Sequence, residues 1–406
     1  LLNNEQVSLS ALVDPHRQQT LAAARGAAVT LWVEDTTELD STAQASQIGL
    51  GQIGNGQGQG LLLHSTLAVE PGSRTVLGIG PMQGVWRVSH PKGTQGWRRT
   101  PAGQVWSVSA QAIGRPPSEA QWVHVSDRGS DIFEYMAACA DLDQHVLRRV
   151  AHHRKLIWTD DQPQAEQAEA QKLLTYARDR PEAPDSGFTL DVPASAKQPA
   201  RQAHWARAWA QVILAPPAQA PADIRPHPPL TVWLVRAWAP DAPPGVEALA
   251  WVRLTSLPIL TLADAQRLVA GYTCRWLCED FHQALKTGCR SERSQLDTAD
   301  ALQRLLGLAA PIAVRLLQLR QAARATPQVL ATARVDPLRV DVLARQQRTE
   351  AQTMTLFDFW RRVARLGGFQ GRQGDGFPGW RTVWRGWRDL SDLTQGARLF
   401  LNRDTS

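Results

Sequence analysis

One stretch, Tyr272 to Lys286 (YTCRWLCEDFHQALK), concentrates residues that do chemistry at helical spacing. At about 100° of rotation per residue, Tyr272, Arg275, Glu279, His282 and Lys286 fall within an arc of roughly 80°. Cys274, Leu277, Cys278, Phe281 and Leu285 form a separate apolar arc. The pattern predicts one helix with a core face and a second face on which a carboxylate is bracketed by cations. At about 1.5 Å rise per residue that polar stripe is roughly 20 Å long, enough to follow several phosphates of a nucleic acid strand. The plainer reading is a solvated face with i,i+4 pairs such as Arg275–Glu279, which suits an arbitrary polar stripe better.

Two further carboxylates sit where strands are expected to end. Ala28 to Glu34 (AVTLWVE) is β-branched and apolar and stops at Asp35, before Thr36 and Thr37. Gln121 to Ser126 (QWVHVS) stops at Asp127, ahead of the helix-like RGSDIFEYMAACA. Acids at strand ends beside a helical acid are a way to gather carboxylates from distant parts of a chain. Crowded together they repel unless cations such as a pair of Mg²⁺ ions lie between them. Taken singly, Asp35 reads as turn chemistry, Asp127 as a helix N-cap and Asp131 as a surface acid.

The Y-x2-R-x3-E-x6-K spacing on Tyr272, Arg275, Glu279 and Lys286 resembles the signature of bacterial DDE transposases of the insertion-sequence-four family, transposon-five type. VEDTTELD, VSDRGSDI, RWLCEDFHQALKTG, AVRLLQLR and ARLGGF resemble that family in order and approximate spacing, over nearly the whole chain. The resemblance implies an α/β fold: an RNase H-like catalytic core with a mixed five-stranded sheet and flanking helices, a β-rich insertion between the second and third acids, and an α-helical C-terminal region. It implies Asp35, Asp127 and Glu279 as catalytic ligands of two Mg²⁺ ions, with Mn²⁺ able to substitute. The activity implied is cleavage of transposon ends and strand transfer into target DNA by in-line displacement at phosphorus. The partners implied are double-stranded DNA, at transposon ends and target, and a second copy of the chain when the ends are synapsed.

Tyr272, Arg275 and Lys286 then become phosphate contacts, and Trp276 a contact to sugar or base whose plainer reading is the edge of the core. Trp251, in ALAWVRLTS, stands where the family keeps a tryptophan that stacks on a flipped base; in so tryptophan-rich a chain its plainer reading is core. Arg148, in HVLRRVAHHRK, resembles an arginine that follows the fifth core strand in the family, with Arg149 leaving that placement ambiguous by one residue. The relatives carry an N-terminal domain that recognises transposon ends, and the chain is expected to lack it. The competing reading is a catalytically silent, truncated relic that binds DNA or a full-length partner as an inhibitor. A metal-dependent nuclease would share the acids without needing the Tyr272–Lys286 stripe or Trp251.

Composition is compatible with this and decides little. The chain has 406 residues, a net charge of +6 and a pI near 9.5, with arginine far outnumbering lysine. No run is expected to be long and apolar enough to span a bilayer, and no signal peptide is expected. Four cysteines imply no disulfide framework, which suits a bacterial cytoplasmic, nucleoid-associated protein. Cys274, Cys278, His282 and Cys289 match no common zinc spacing, so the cysteines read as buried thiols.

The expected organisation is a helical lead-in over 1–27 and the first part of the core over 28–153. A β-rich insertion over 154–255 follows, then the core helix with the third acid over 256–296 and a helical region over 297–406 suited to dimerisation. Within the first part, the glycine-rich Gly49 to Gly60 is read as a flexible connection and Pro91 to Pro117 as loop.

Overall fold

The computed structural model describes residues 1–43, 47–54, 56–86, 101–157, 172–192, 200–218, 220, 222–241 and 249–401. It is a mixed α/β protein of two compact units. The first comprises Leu1–Ala22, Thr36–Ala102 and Trp276–Ser406; the second comprises Ala23–Asp35 and Gly103–Arg275.

In chain order, α1 (Leu9–Arg25) is followed by β1 (Val29–Asp40), β2 (Gly51–Ile53), β3 (Gly58–Val69) and β4 (Val76–Val85). Then come α2 (Pro101–Ile113), β5 (Gln121–Ser126), α3 (Phe133–Asp141) and β6 (His145–Arg149). The stretch expected to be β-rich holds β7 (Leu156–Ile157), α4 (Leu173–Asp179), β8 (Phe188–Val192), β9 (Arg201–Leu214), β10 (Leu230–Trp238) and β11 (Ala250–Thr255). The remainder is helical: α5 (Leu262–Thr273), α6 (Trp276–Gln283), α7 (Ala299–Ala325), α8 (Pro337–Gln346), α9 (Leu356–Leu366) and α10 (Trp380–Leu401).

In the first unit, β2 and β3 form an antiparallel hairpin, and β3 pairs antiparallel with β4. The Gly49 to Gly60 segment is therefore a hairpin rather than a flexible connection, with Gly54 and Gly56 supplying the positive φ of its turn. α7 docks on β4 through its amides: Gln318 Nε2 donates to the Val76 carbonyl at 3.0 Å, and the Val76 amide donates to Gln321 Oε1 at 3.1 Å. Contrary to the sequence expectation, α7 is long and apolar enough to cross a membrane, but its apolar side chains are largely buried within the protein, which makes it a core helix. α9 and α10 cross at Gly367 and Gly386, where a methyl group would run into the Thr382 and Val363 carbonyls.

In the second unit, β1 pairs parallel with β5, and β5 parallel with β6. β11 then joins β6 antiparallel, followed by β10 and β9, with β7 and β8 both antiparallel to β9. Residues 101–113 are helical rather than loop, because Val105, Trp106, Ala110 and Ile113 recur at helical spacing and are buried; residues 91–100 lie outside the described residues. β1 also runs five residues past Asp35, through the β-branched Thr36 and Thr37 to Asp40, so Asp35 projects from the middle of a strand rather than from a turn.

Side chains alternate across a strand, so Glu34 points away from Asp35, and here it enters the core. Its carboxylate is fully buried, 2.9 Å from His124 Nδ1, and accepts from the Tyr135 hydroxyl at 2.7 Å. Burial, and then the Glu34 charge, hold the Tyr135 phenol well above its ordinary pKa, so it remains a donor. Gln144 Nε2 donates to the Ala110 and Gly114 carbonyls, leaving its Oε1 to accept from His124 Nε2 at 2.9 Å. This network ties β1, β5 and the helices beneath them into one register.

His124→Ala strands the Glu34 carboxylate without its ring partner and is expected to lower unfolding free energy by about 3–5 kcal/mol in urea titrations. Replacing Glu34 and His124 together with apolar residues recovers much of that loss, because the stranded charge is removed with its partner.

Candidate active site

The strand register sets the site. β1 and β5 pair Val33 with Val125, which places Asp35 and Asp127 at equivalent positions two residues further along neighbouring parallel strands. β5 and β6 pair Ser126 with Arg148, so Asp127 stands level with Arg149. β6 and β11 pair Arg149 directly with Arg253. Asp35, Asp127, Arg149 and Arg253 thus lie in one row across four strands spaced about 4.8 Å apart, on one face of the sheet.

α5 supplies the groups above this row. Thr261 and Asp264 form a reciprocal capping box at its start. At its end the Cys274 and Arg275 amides bond back only three residues, to the Gly271 and Tyr272 carbonyls, and the helix stops. Arg275 Nη1 lies 3.3 Å from Asp35 Oδ2, with both side chains mostly buried. Tyr272 is half-buried; burial raises its pKa, opposed by Arg275 and Arg253. Arg149 is pushed below the usual arginine pKa by burial and then by Arg128, and it also feels Tyr272, Arg275 and Asp127. Asp127 accepts from the Gly129 amide at 2.8 Å, the N-cap of a short 3-10 turn, so the plain capping reading also holds.

Two residues differ from the sequence reading. Arg148, proposed as a DNA contact, is wholly buried: its register partners place it on the opposite face from Arg149, and its guanidinium bonds the Ser130 and Ile132 carbonyls and lies 3.4 Å from Asp131. Asp131 is likewise buried rather than on the surface. Burial alone would raise its pKa, but Arg148, Arg154 and the Ala151 and His152 amides hold it below the ordinary value. Arg149, one residue on, faces the acids.

Trp251 packs within the β-rich stretch. Its ring stacks on Trp205 at 4.5 Å between centroids, in a cluster with Phe188, Leu249, Ala203, Ala237 and Ala239. One face of the ring is thereby covered, as the plain core reading expects.

In the first unit, the single helix expected over 272–286 is broken. α6 begins afresh at Trp276 and gives way to a π-helical turn over Ala284–Gly288, where the Cys289 amide reaches back five residues to the Ala284 carbonyl. The even stripe is lost: the wider π turn moves Lys286 off the helical projection, and His282 is 4 % exposed and belongs to the core. The apolar arc of Leu277, Cys278, Phe281 and Leu285 is buried as expected. Trp276 is 60 % exposed, which excludes its reading as a core-edge residue. Glu279 is partly buried on α6. Lys286 Nζ lies 3.6 Å from Glu292 Oε1 in a cleft of about 670 Å³ that Arg290, Arg293, Arg381 and Asp40 also line. Cys139, Cys274 and Cys278 are buried free thiols, and burial pushes the partly buried Cys289 up to about 11.

Among the described residues no three His, Cys, Asp or Glu side chains converge closely enough to hold a metal ion. Asp35 and Asp127 nevertheless offer hard oxygen donors on adjacent strands, the chemistry that Mg²⁺ prefers. The Arg275–Asp35 pair shows that the row draws positive charge to itself.

Residues 311–405 match the family model described as Transposase Tn5 dimerisation domain. The matched stretch covers most of α7 together with α8, α9 and α10. It supports a Tn5-like transposase, from a part of the chain that contains none of the three acids.

Arg128 and Arg253 are site residues that the sequence reading missed, and Arg149 is the alternative that it left open beside Arg148. Arg253 carried a readable signal: it alternates with Trp251 in a period-2 run, so both point to one face.

Arg148→Ala removes the partner of a buried carboxylate and is expected to cost about 3–5 kcal/mol of stability in chemical denaturation. Arg149→Ala is expected to cost less than about 1 kcal/mol, as for a partly exposed side chain whose charged neighbours include both signs. His282 makes a separate prediction. Burial, then Lys286 and His64, depress its pKa to about 3, so between pH 6.5 and 3 the unfolded chain binds a proton that the folded chain does not. Stability therefore falls as pH drops through that window. His282→Gln should flatten the slope of unfolding free energy against pH there by up to about 1.4 kcal/mol per unit.

Proposed function

We propose that the chain is a DDE transposase, a metal-dependent DNA endonuclease and strand transferase acting by in-line phosphoryl transfer. The observation that carries this reading is the register that sets Asp35 and Asp127 level on adjacent parallel strands, with cationic side chains beside them. The strand order within the second unit supports an RNase H-like core, with β5 parallel to β1 and β6 parallel to β5. Asp35 and Asp127 would hold divalent metal, Mg²⁺ by the hardness of their oxygens; when bound, it activates the attacking oxygen and stabilises the leaving one. Glu279 is proposed as the third acid from its Y-x2-R-x3-E-x6-K spacing.

The other residues have roles in binding. Arg149, Arg275 and Tyr272 present donors to phosphates beside the acids, and Lys286, with Arg290, Arg293 and Arg381 around its cleft, does so in the other unit. The C-terminal match, to a domain described by dimerisation, supports a homodimer. α10 keeps Leu393, Leu399 and Phe400 exposed, as a helix with an apolar partner would. A bacterial cytoplasmic location at the nucleoid goes with this reading.

Asp127→Asn and Glu279→Gln should each reduce Mg²⁺-dependent nicking of supercoiled plasmid to the uncatalysed background while leaving the circular dichroism melt unchanged. Nicking at the parent rate by either variant would remove that residue from the reaction.

A further inference from the structure

Arg253 has a feature that the proposed roles leave unexplained. It is 6 % exposed, yet two of its donors, Nε and Nη1, have no hydrogen-bond partner among the described residues. Its guanidinium carbon stands 4.4 Å from the centroid of the Tyr272 ring and 5.3 Å from that of Trp251. Among the described residues, the ionisable groups that act on it are Tyr272 and Arg149, with no carboxylate. Burial brings its pKa down to about 10, which still leaves it cationic at neutral pH.

A buried cation without a counter-ion is costly, and facing aromatic rings offset that only in part. An unmet buried donor in a folded protein calls for an explanation, and an absent ion or ligand is one. The nearest neighbour in the row, Arg149, adds a second positive charge rather than removing the first. Two adjacent guanidiniums, of which Arg253 has donors to spare and lies over two aromatic rings, are suited to accept an anion with several oxygens.

We propose that Arg253 and Arg149 form a subsite for one phosphate group, next to the Asp35–Asp127 pair, with Arg253 as the positioning residue. Trp251 then serves to hold the Arg253 fork in place rather than to receive a base. For DNA as the source of the phosphate this rests on the function proposed above; for phosphate itself it does not.

The test uses the full chain in metal-free buffer with two probes, inorganic phosphate in thermal melts and a 5′-phosphorylated single-stranded oligonucleotide in fluorescence anisotropy over a salt series. Arg253→Met keeps length and removes charge. It should melt no lower than the parent without anion, lose the rise in melting temperature caused by phosphate, and bind the oligonucleotide at least about tenfold more weakly. Its log–log salt slope should fall by about 0.7, the single-strand value for one phosphate. Arg253→Lys should keep that slope while losing part of the affinity. A parent that responds to phosphate but not to the oligonucleotide leaves the subsite standing and removes DNA as its ligand. The inference is overturned if the parent responds to neither probe, or if Arg253→Met binds both with unchanged affinity and slope. It is also overturned if Arg253→Met melts well below the parent with its salt slope intact, since the guanidinium would then be structural.

Discussion

The site depends on strand register. Parallel pairing of β1, β5 and β6 and antiparallel pairing of β6 with β11 bring two aspartates and two arginines, far apart in the chain, onto one line. Because side chains alternate, a shift of a single residue would send every one of them to the other face. The contrast between Arg148 and Arg149 shows that sensitivity directly: one is locked inside by Asp131, and the other faces the acids. The Glu34, His124, Tyr135 and Gln144 network fixes the register from beneath, and it uses the residue immediately before Asp35 to do so.

Charge is handled differently on the two faces of this sheet. Below, Asp131 meets Arg148, Arg154 and two backbone N–H groups, and Glu34 meets His124 and Tyr135. Above, Asp35 has Arg275, while Arg149 and Arg253 lie together with less compensation. A fold that pairs its buried acids and leaves cations crowded on one surface concentrates its electrostatic strain where a polyanion would relieve it.

Much of this was legible in the sequence where local pattern and tertiary demand agree. The run QWVHVS forms β5 at its expected bounds, and the apolar arc of Leu277, Cys278, Phe281 and Leu285 is buried. The break between α5 and α6 was not legible, because the apolar spacing runs on unbroken through Cys274 while the hydrogen bonds tighten at Arg275. The π turn at Lys286 leaves no mark in composition either. The extension of β1 past Asp35 depends on pairing with a strand that comes later in the chain. The choice between Arg148 and Arg149 required the register, which two adjacent arginines in a sequence do not reveal. The chemistry of Asp35 and Asp127 could be guessed from residue type, but their alignment could be seen only in the fold.

At the crossing of α9 and α10, Gly367 and Gly386 let two helix backbones touch with no side chain between them. Such a joint has no slack: a side chain at either glycine adds atoms where none fit. Side chains on the outward surface of α10, Leu393 and Phe400 among them, stand in the open and can change without touching that joint.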